Sequence, residues 1–199
     1  RLGVADPSAA AYERRDSATQ RNLLGRTGRL ASAETTDDHR LLRLTARWAP
    51  DDSGYFKRLV IEKTDSGFAS RIETAQLTAS SRLVGGVIQS SLFAATDDAH
   101  IPDAVAVQVA ELFSGDIDFR RSLRKGDRFS IVYETLEADG EPLRSGRVIS
   151  AEFLNNGKSH QALWFQEPGT AKGAYYTLDG QSMRRAYLAT PLEFSRVSS

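Results

Sequence analysis

Apolar and polar positions along the chain change period twice. Residues 1–25 read as helical: Asp6-Pro7 is a start pair, with Asp6 as cap and Pro7 in the first turn, and Ala9 to Tyr12 continue it. Gly25 and Gly28 close this region, whose few large apolar residues (Leu2, Val4, Tyr12, Leu23, Leu24) must pack on something else. From Arg29 the period is two. Leu42, Leu44, Ala46 and Trp48 alternate with Arg43, Thr45 and Arg47, and Leu59 and Ile61 alternate with Arg58, Val60 and Glu62. Residues 68–78 are extended but more polar. Turn residues at Asp37-Asp38, 50–54 and Ser66-Gly67 separate these runs, which predicts an antiparallel meander.

Residues 82–92 read as a further strand broken at Gly85-Gly86. The period then becomes helical. Val105, Val109, Leu112 and Phe113 form one stripe behind Pro102-Asp103, and Gly115 ends it, so the main amphipathic helix is expected over about 102–114. A second meander follows. Phe129, Ile131 and Tyr133 share a face, as do Ile149, Ala151 and Phe153. Asp139-Gly140 and Asn156-Gly157 are the turns, the latter a strong tight-hairpin signal. Leu163 and Phe165 alternate with Ala162 and Trp164, and Tyr175-Tyr176 adds a short fourth strand before Asp179-Gly180. The fold class is α+β: mostly antiparallel β-sheet, one main helix, and two subdomains with a soft boundary near 80–82. The helix stripe needs an apolar face to cover it, and Phe129, Ile131 and Tyr133 offer the nearest large one.

Composition narrows the function classes. Of 199 residues, 40% are hydrophobic, sufficient for a packed core. Lys plus Arg (26) equals Asp plus Glu (26), so the basic excess of a dedicated nucleic-acid binder is missing. No apolar run approaches a membrane span and no basic-then-apolar leader is present in the sequence, which starts at Arg1 rather than Met; a truncated or processed chain, with room for a signal or anchor segment upstream, is expected. With no cysteine, disulfides and thiolate metal sites are excluded.

Catalytic motifs are missing. His39, His100 and His160 are far apart, without HxH or HExxH, and read as turn and helix-flanking residues. Ser90 and Ser91 lie near His100 and several aspartates but have no nucleophile elbow around them. Asp97-Asp98, Asp116 and Asp118 are candidates for a carboxylate pair, or for helix caps and turn formers, the preferred reading. Gly25-x-x-Gly28 and Gly85-Gly86 match no phosphate cradle. One cluster remains, Arg120, Arg121, Arg124 and Lys125. It is either a contact patch for anionic glycan peptides or a partner, or a solvated face offset by Asp116, Asp118 and Asp127; the solvated face is preferred.

Several stretches resemble a known family. They are residues 86–95 (GVIQSSLFAA), 100–103 (HIPD), 112–120 (LFSGDIDFR), 123–129 (LRKGDRF), 132–134 (VYE), 175–180 (YYTLDG) and 191–199 (PLEFSRVSS). Jointly they resemble the middle domain of Gram-negative murein endopeptidases of the lysostaphin/LytM type, the cell-shape-determining group. Residues 1–80 more weakly resemble the end of a LysM-like or opacity-associated-protein-like domain with its β extension. The resemblance implies three parts: 1–80, a middle domain over 81–192, and a linker over 193–199 to a catalytic domain not included. Phe194, Ser195, Arg196, Val197, Ser198 and Ser199 would then form the hinge. In the family that catalytic domain holds zinc through HxxxD and HxH elements, neither of which occurs in this sequence. The expected reading is a non-catalytic regulatory or scaffolding portion of a periplasmic, cell-wall metallopeptidase, a hydrolase of peptidoglycan cross-links. The chain itself would have neither cofactor nor activity. Its partners would be its own zinc-loaded catalytic domain, held in autoinhibition, and peptidoglycan. An independent module that binds peptidoglycan or an envelope partner is the alternative.

Overall fold

The structure is a computed structural model that describes residues 2–170 and 172–183; the expected hinge lies outside the described residues. The chain divides into two compact units, Arg1–Ala79 with Leu136–Arg144, and Ser80–Thr135 with Ser145–Ser199. As the sequence predicts, the architecture is mostly antiparallel β with a few helices and a two-part layout.

In the first unit, two short helices precede a sheet. Helix α1 (Pro7–Arg15) starts where Asp6 accepts bonds from the Ser8 and Ala9 amides, and α2 (Ser17–Asn22) starts where Asp16 accepts from Thr19 N. Strands β1 (Leu30–Thr35), β2 (Leu41–Trp48), β3 (Tyr55–Thr64) and β4 (Gly67–Gln76) form an antiparallel meander in chain order. Ala9, Leu44, Ala46, Trp48, Leu59 and Ile61 make one apolar cluster, with Tyr12, Leu23 and Phe68 against it. Leu42, expected inside, is exposed, and Leu41 is buried instead. A register shift at Glu34/Thr35 sets Leu41 opposite Thr35 and moves the start of β2 out of simple alternation. Phe56 and Val60 are also fully buried, so β3 is covered on both faces. Phe56 packs with Leu77 and Ala138, flanked by Leu136 and Leu143 from the chain returning at 136–144.

The second unit holds the larger core. Strands β5 (Thr78–Val87), β6 (Arg128–Ala138), β7 (Glu141–Asn155), β8 (Lys158–Phe165) and β9 (Ala174–Tyr176) form the second sheet in that order. The expected helix is α4 (Asp103–Phe113), and its stripe Val105, Val109, Leu112 and Phe113 is buried with Phe129, Ile131, Tyr133 and Phe153. A shorter helix, α3 (Leu92–Asp98), precedes it and was not apparent from the sequence. Gly85-Gly86 does not break β5. Any side chain at Gly86 would collide with the Phe129 ring, so this glycine admits an aromatic to the strand rather than ending it. On β7, Val148 enters the core while Ile149 is half-buried. On β8, Ala162 and Trp164 face inward and Leu163 and Phe165 outward.

Candidate functional site

The basic cluster lies on the connection between α4 and β6. That connection, residues 114–127, lies outside helix and strand, so its shape depends on where its amides find acceptors. Ile117 is buried and anchors the start, with its N–H donating to Phe113 O at 2.8 Å. Asp118 then nucleates a turn: its Oδ1 accepts from Arg120 N (3.0 Å) and Arg121 N (3.2 Å), and its carbonyl accepts from Ser122 N (2.7 Å). Phe119 and Leu123 pack on the core, which leaves Arg120, Arg121, Arg124 and Lys125 facing water.

Asp127 holds the far end. It is 6% exposed. Its carboxylate accepts from Arg124 N (2.8 Å), Asn155 Nδ2 (2.7 Å) and Asn156 N (2.9 Å), while its backbone carbonyl accepts from Ile88 N at 2.7 Å. Burial pushes its carboxyl upward, but the Asn156 and Arg124 amides and the Asn155 side chain outweigh that and hold it below the ordinary 3.8. Asn155 also donates to Ser122 O at 2.9 Å, tying the basic turn to the β7–β8 hairpin. The loop is therefore fixed by the same tight turn that Asn156-Gly157 announces in the sequence.

Asp127 is in electrostatic interaction with Arg124, but none of the three aspartates expected to offset the cluster makes an ion-pair contact with it. Asp118 is turned to backbone amides and Asp127 lies buried beneath. Asp116 is exposed and lines a hollow of about 340 Å³ with His160 and Asp179. None of the four basic heads is ion-paired with a described carboxylate. Four cations thus stand on a rigid loop in a chain whose net charge is zero, an arrangement suited to carboxylate or phosphate groups. Sequence reasoning named Asp127 only as a counter-charge, not as the buried anchor of the loop, and missed Asn155. Their only signal was position: an aspartate two residues past a basic run and an asparagine before a hairpin turn.

The other candidates separate. Ser91 caps α3, its Oγ accepting from Ala94 N at 3.1 Å, and Ser90 is exposed. Asp97 and Asp98 end α3. His39 and His100 sit in turns with positive φ, and His160 on β8 meets the Phe113 ring edge-on at 6.5 Å. Among the described residues no group of three or more His, Asp or Glu side chains is gathered to hold a metal ion. No described helix is long and apolar enough to cross a membrane.

Comparison with known proteins gives two curated relatives, both from Vibrio cholerae serotype O1. Peptidoglycan DD-endopeptidase ShyC is 30% identical over 162 residues, 81% of this chain and 35% of that protein. Peptidoglycan DD-endopeptidase ShyA is 32% identical over 116 residues, 57% of this chain and 26% of that protein. The chain thus spans about a third or less of each relative. A solved zinc-containing peptidase from Vibrio cholerae overlays on 92% of this chain and 53% of its own, with 18% identity and a TM-score of 0.49. No protein-family model matches the chain. The chain is homologous to a region of these peptidoglycan DD-endopeptidases, which accords with the endopeptidase resemblance read from its sequence.

Proposed function

We propose that this chain is the non-catalytic regulatory and scaffolding portion of a periplasmic zinc endopeptidase that cleaves peptide cross-links in peptidoglycan. The observation that carries the reading is the match of 81% of the chain to a peptidoglycan DD-endopeptidase of which it spans only 35%. The lack of any HxH, HExxH or HxxxD element supports a division of labour in which zinc chemistry belongs elsewhere in the parent protein. Zinc there would polarise the scissile carbonyl and activate water; the residues of this chain would position the substrate or cover the groove. The fixed basic loop supports a direct contact, because peptidoglycan stem peptides are rich in carboxylates. Its charge would also serve to hold an acidic face of the catalytic domain, and a closed form favoured by a few kcal/mol suffices for latency.

Two measurements test this. The purified chain, supplied with zinc, is expected to release no muropeptides from purified sacculi. Release by the chain alone overturns the non-catalytic reading. The parent and a form beginning near Ser199, both folded and zinc-loaded, are then compared at equal molarity. Regulation by restraint predicts a faster shortened enzyme. Equal or slower hydrolysis removes restraint and leaves scaffolding or substrate binding.

A further inference from the structure

We infer that the cleft beside β8 and β9 is a saccharide subsite that takes the uncharged N-acetylhexosamine face of a glycan strand. This deepens, and rests on, the peptidoglycan reading above, and assigns the cleft to the glycan rather than to the stem peptide. The cleft measures about 410 Å³ and lies wholly within the second unit. That volume falls in the range of small-ligand sites.

Its walls are aromatic and its edge is polar. Trp164 is a fixed wall: the Arg147 guanidinium lies 4.8 Å from its ring centroid and Tyr175 meets it edge-on at 5.0 Å. Gly173 lies so close to the indole that any side chain there would collide with it. Phe165 differs. It is 57% exposed and touches Tyr176 edge-on at 6.2 Å, so ring face remains open to water. An open aromatic face beside a polar edge suits a ligand with one apolar C–H face and a hydroxylated rim. Glu167 and Lys172 supply that edge. Their charges cancel, neither is ion-paired with a described residue, and a carboxylate and an ammonium are the acceptor and donor that hydroxyl and acetamido groups need.

The 166–170 part of that edge is also pre-folded. Gln166 Nε2 donates to Thr170 O at 2.8 Å, Thr170 Oγ1 donates to Glu167 O at 2.7 Å, and Gly169 takes the positive φ the turn requires. A segment already ordered costs little more to order on binding. Charge decides between the two parts of peptidoglycan. The carboxylate-rich stem peptide matches the four cations of the 120–125 loop, whereas one acid and one base across this cleft leave no net field to attract it.

The test uses the 199-residue chain and two probes: a β-1,4-linked N-acetylglucosamine tetrasaccharide followed by titration calorimetry, and purified sacculi followed by pelleting. The tetrasaccharide is expected to bind saturably, and maltotetraose, which lacks acetamido groups, to bind at least fivefold more weakly. Phe165→Ala is expected to weaken the tetrasaccharide roughly three- to tenfold, the worth of one aromatic contact, with an unchanged circular-dichroism spectrum because the ring is exposed. Arg124→Ala, on the other loop, is expected to leave it unchanged. Lys172→Ala serves as a second variant should Phe165→Ala disturb the fold. Sacculi pelleted by a chain that ignores the tetrasaccharide would overturn the glycan subsite and spare the peptidoglycan reading. Tetrasaccharide binding lost in Phe165→Ala, without pelleting by the parent sequence, would keep the subsite and remove that reading. Binding indifferent to both variants, or equal for maltotetraose, overturns the assignment.

Discussion

The two units stabilise their sheets by different means. In the second, one sheet face is filled by α4 and four rings: Phe153 lies 6.3 Å from Phe113, 5.5 Å from Phe119 and 6.2 Å from Phe129, centroid to centroid. In the first, the helices are short and one sheet face carries charge. Asp139 joins Arg47 at 2.5 Å and Arg58 at 2.6 Å; Arg58 continues to Glu73, and Arg71 joins Glu73 to Glu62. Register aligns the central members, Arg47 opposite Arg58 and Arg58 opposite Glu73, while Arg71 and Glu73 share β4 and Asp139 comes from the turn between β6 and β7. The contrast teaches where each unit is vulnerable. A packed aromatic core fails when volume is removed; a half-exposed ion lattice responds to salt and pH.

That contrast can be broken from its strong side first. The chain has two tryptophans, Trp48 in the first unit and Trp164 in the second, so single-tryptophan variants report each unit separately. Phe153→Ala should cost the second unit about 3–5 kcal/mol and Leu112→Ala about 2–5 kcal/mol in denaturant unfolding. Trp48 should register much less. An unchanged Trp164 transition would mean the core closes over the void or does not depend on these residues.

Asp127→Asn comes next. It keeps the shape but weakens a carboxylate that accepts three bonds, and should cost about 2–4 kcal/mol. Its pH signature has a defined sign. Because the folded carboxyl lies below its unfolded value, its contribution is complete above the ordinary 3.8 and is lost as pH falls through the lower folded value. Stability measured from pH 6 to 2 should therefore fall more steeply in the parent than in Asp127→Asn. Parallel curves would show that the buried hydrogen bonds, not the charge, matter.

Gly86→Ala should destabilise the second unit by about 1–3 kcal/mol, since the Phe129 ring must shift. In the first unit, Asp139→Asn should cost about 1–2 kcal/mol at low ionic strength and less in 1 M salt. Equal loss at both salts would assign the effect to hydrogen-bond geometry instead. Smallest of all, Arg124→Ala with Lys125→Ala should leave stability within about 0.5 kcal/mol, while reducing sedimentation with sacculi most at low salt, where the charges are least screened. Loss of folding in that double variant would mean the basic heads are structural rather than presented for contact.

Periodicity, turns and caps were legible early because they act over a few residues. The stripe Val105, Val109, Leu112 and Phe113 marked α4, and Asn156-Gly157 marked the β7–β8 hairpin. The α3 helix was hidden because its seven residues, 92–98, give too few turns for a period to show. Gly85-Gly86 was misread because a glycine in a strand signals a break or a close approach alike, and the approaching ring, Phe129, is more than forty residues away.

The candidate site followed the same division. The four basic residues stood out in the sequence, but their lack of ion-pair contacts among the described residues did not. Nearby aspartates in sequence predicted neutralisation; the fold turned Asp118 to its own turn and sank Asp127 under the loop. Sequence alone determined the α+β class, the main helix, the hairpins and the kinship to peptidoglycan endopeptidases, since each rests on local pattern or on residue identity. Only the tertiary structure decided which charges stay unpaired, which glycine receives a ring and which aromatics line the cleft, because those depend on side chains brought together from distant parts of the chain.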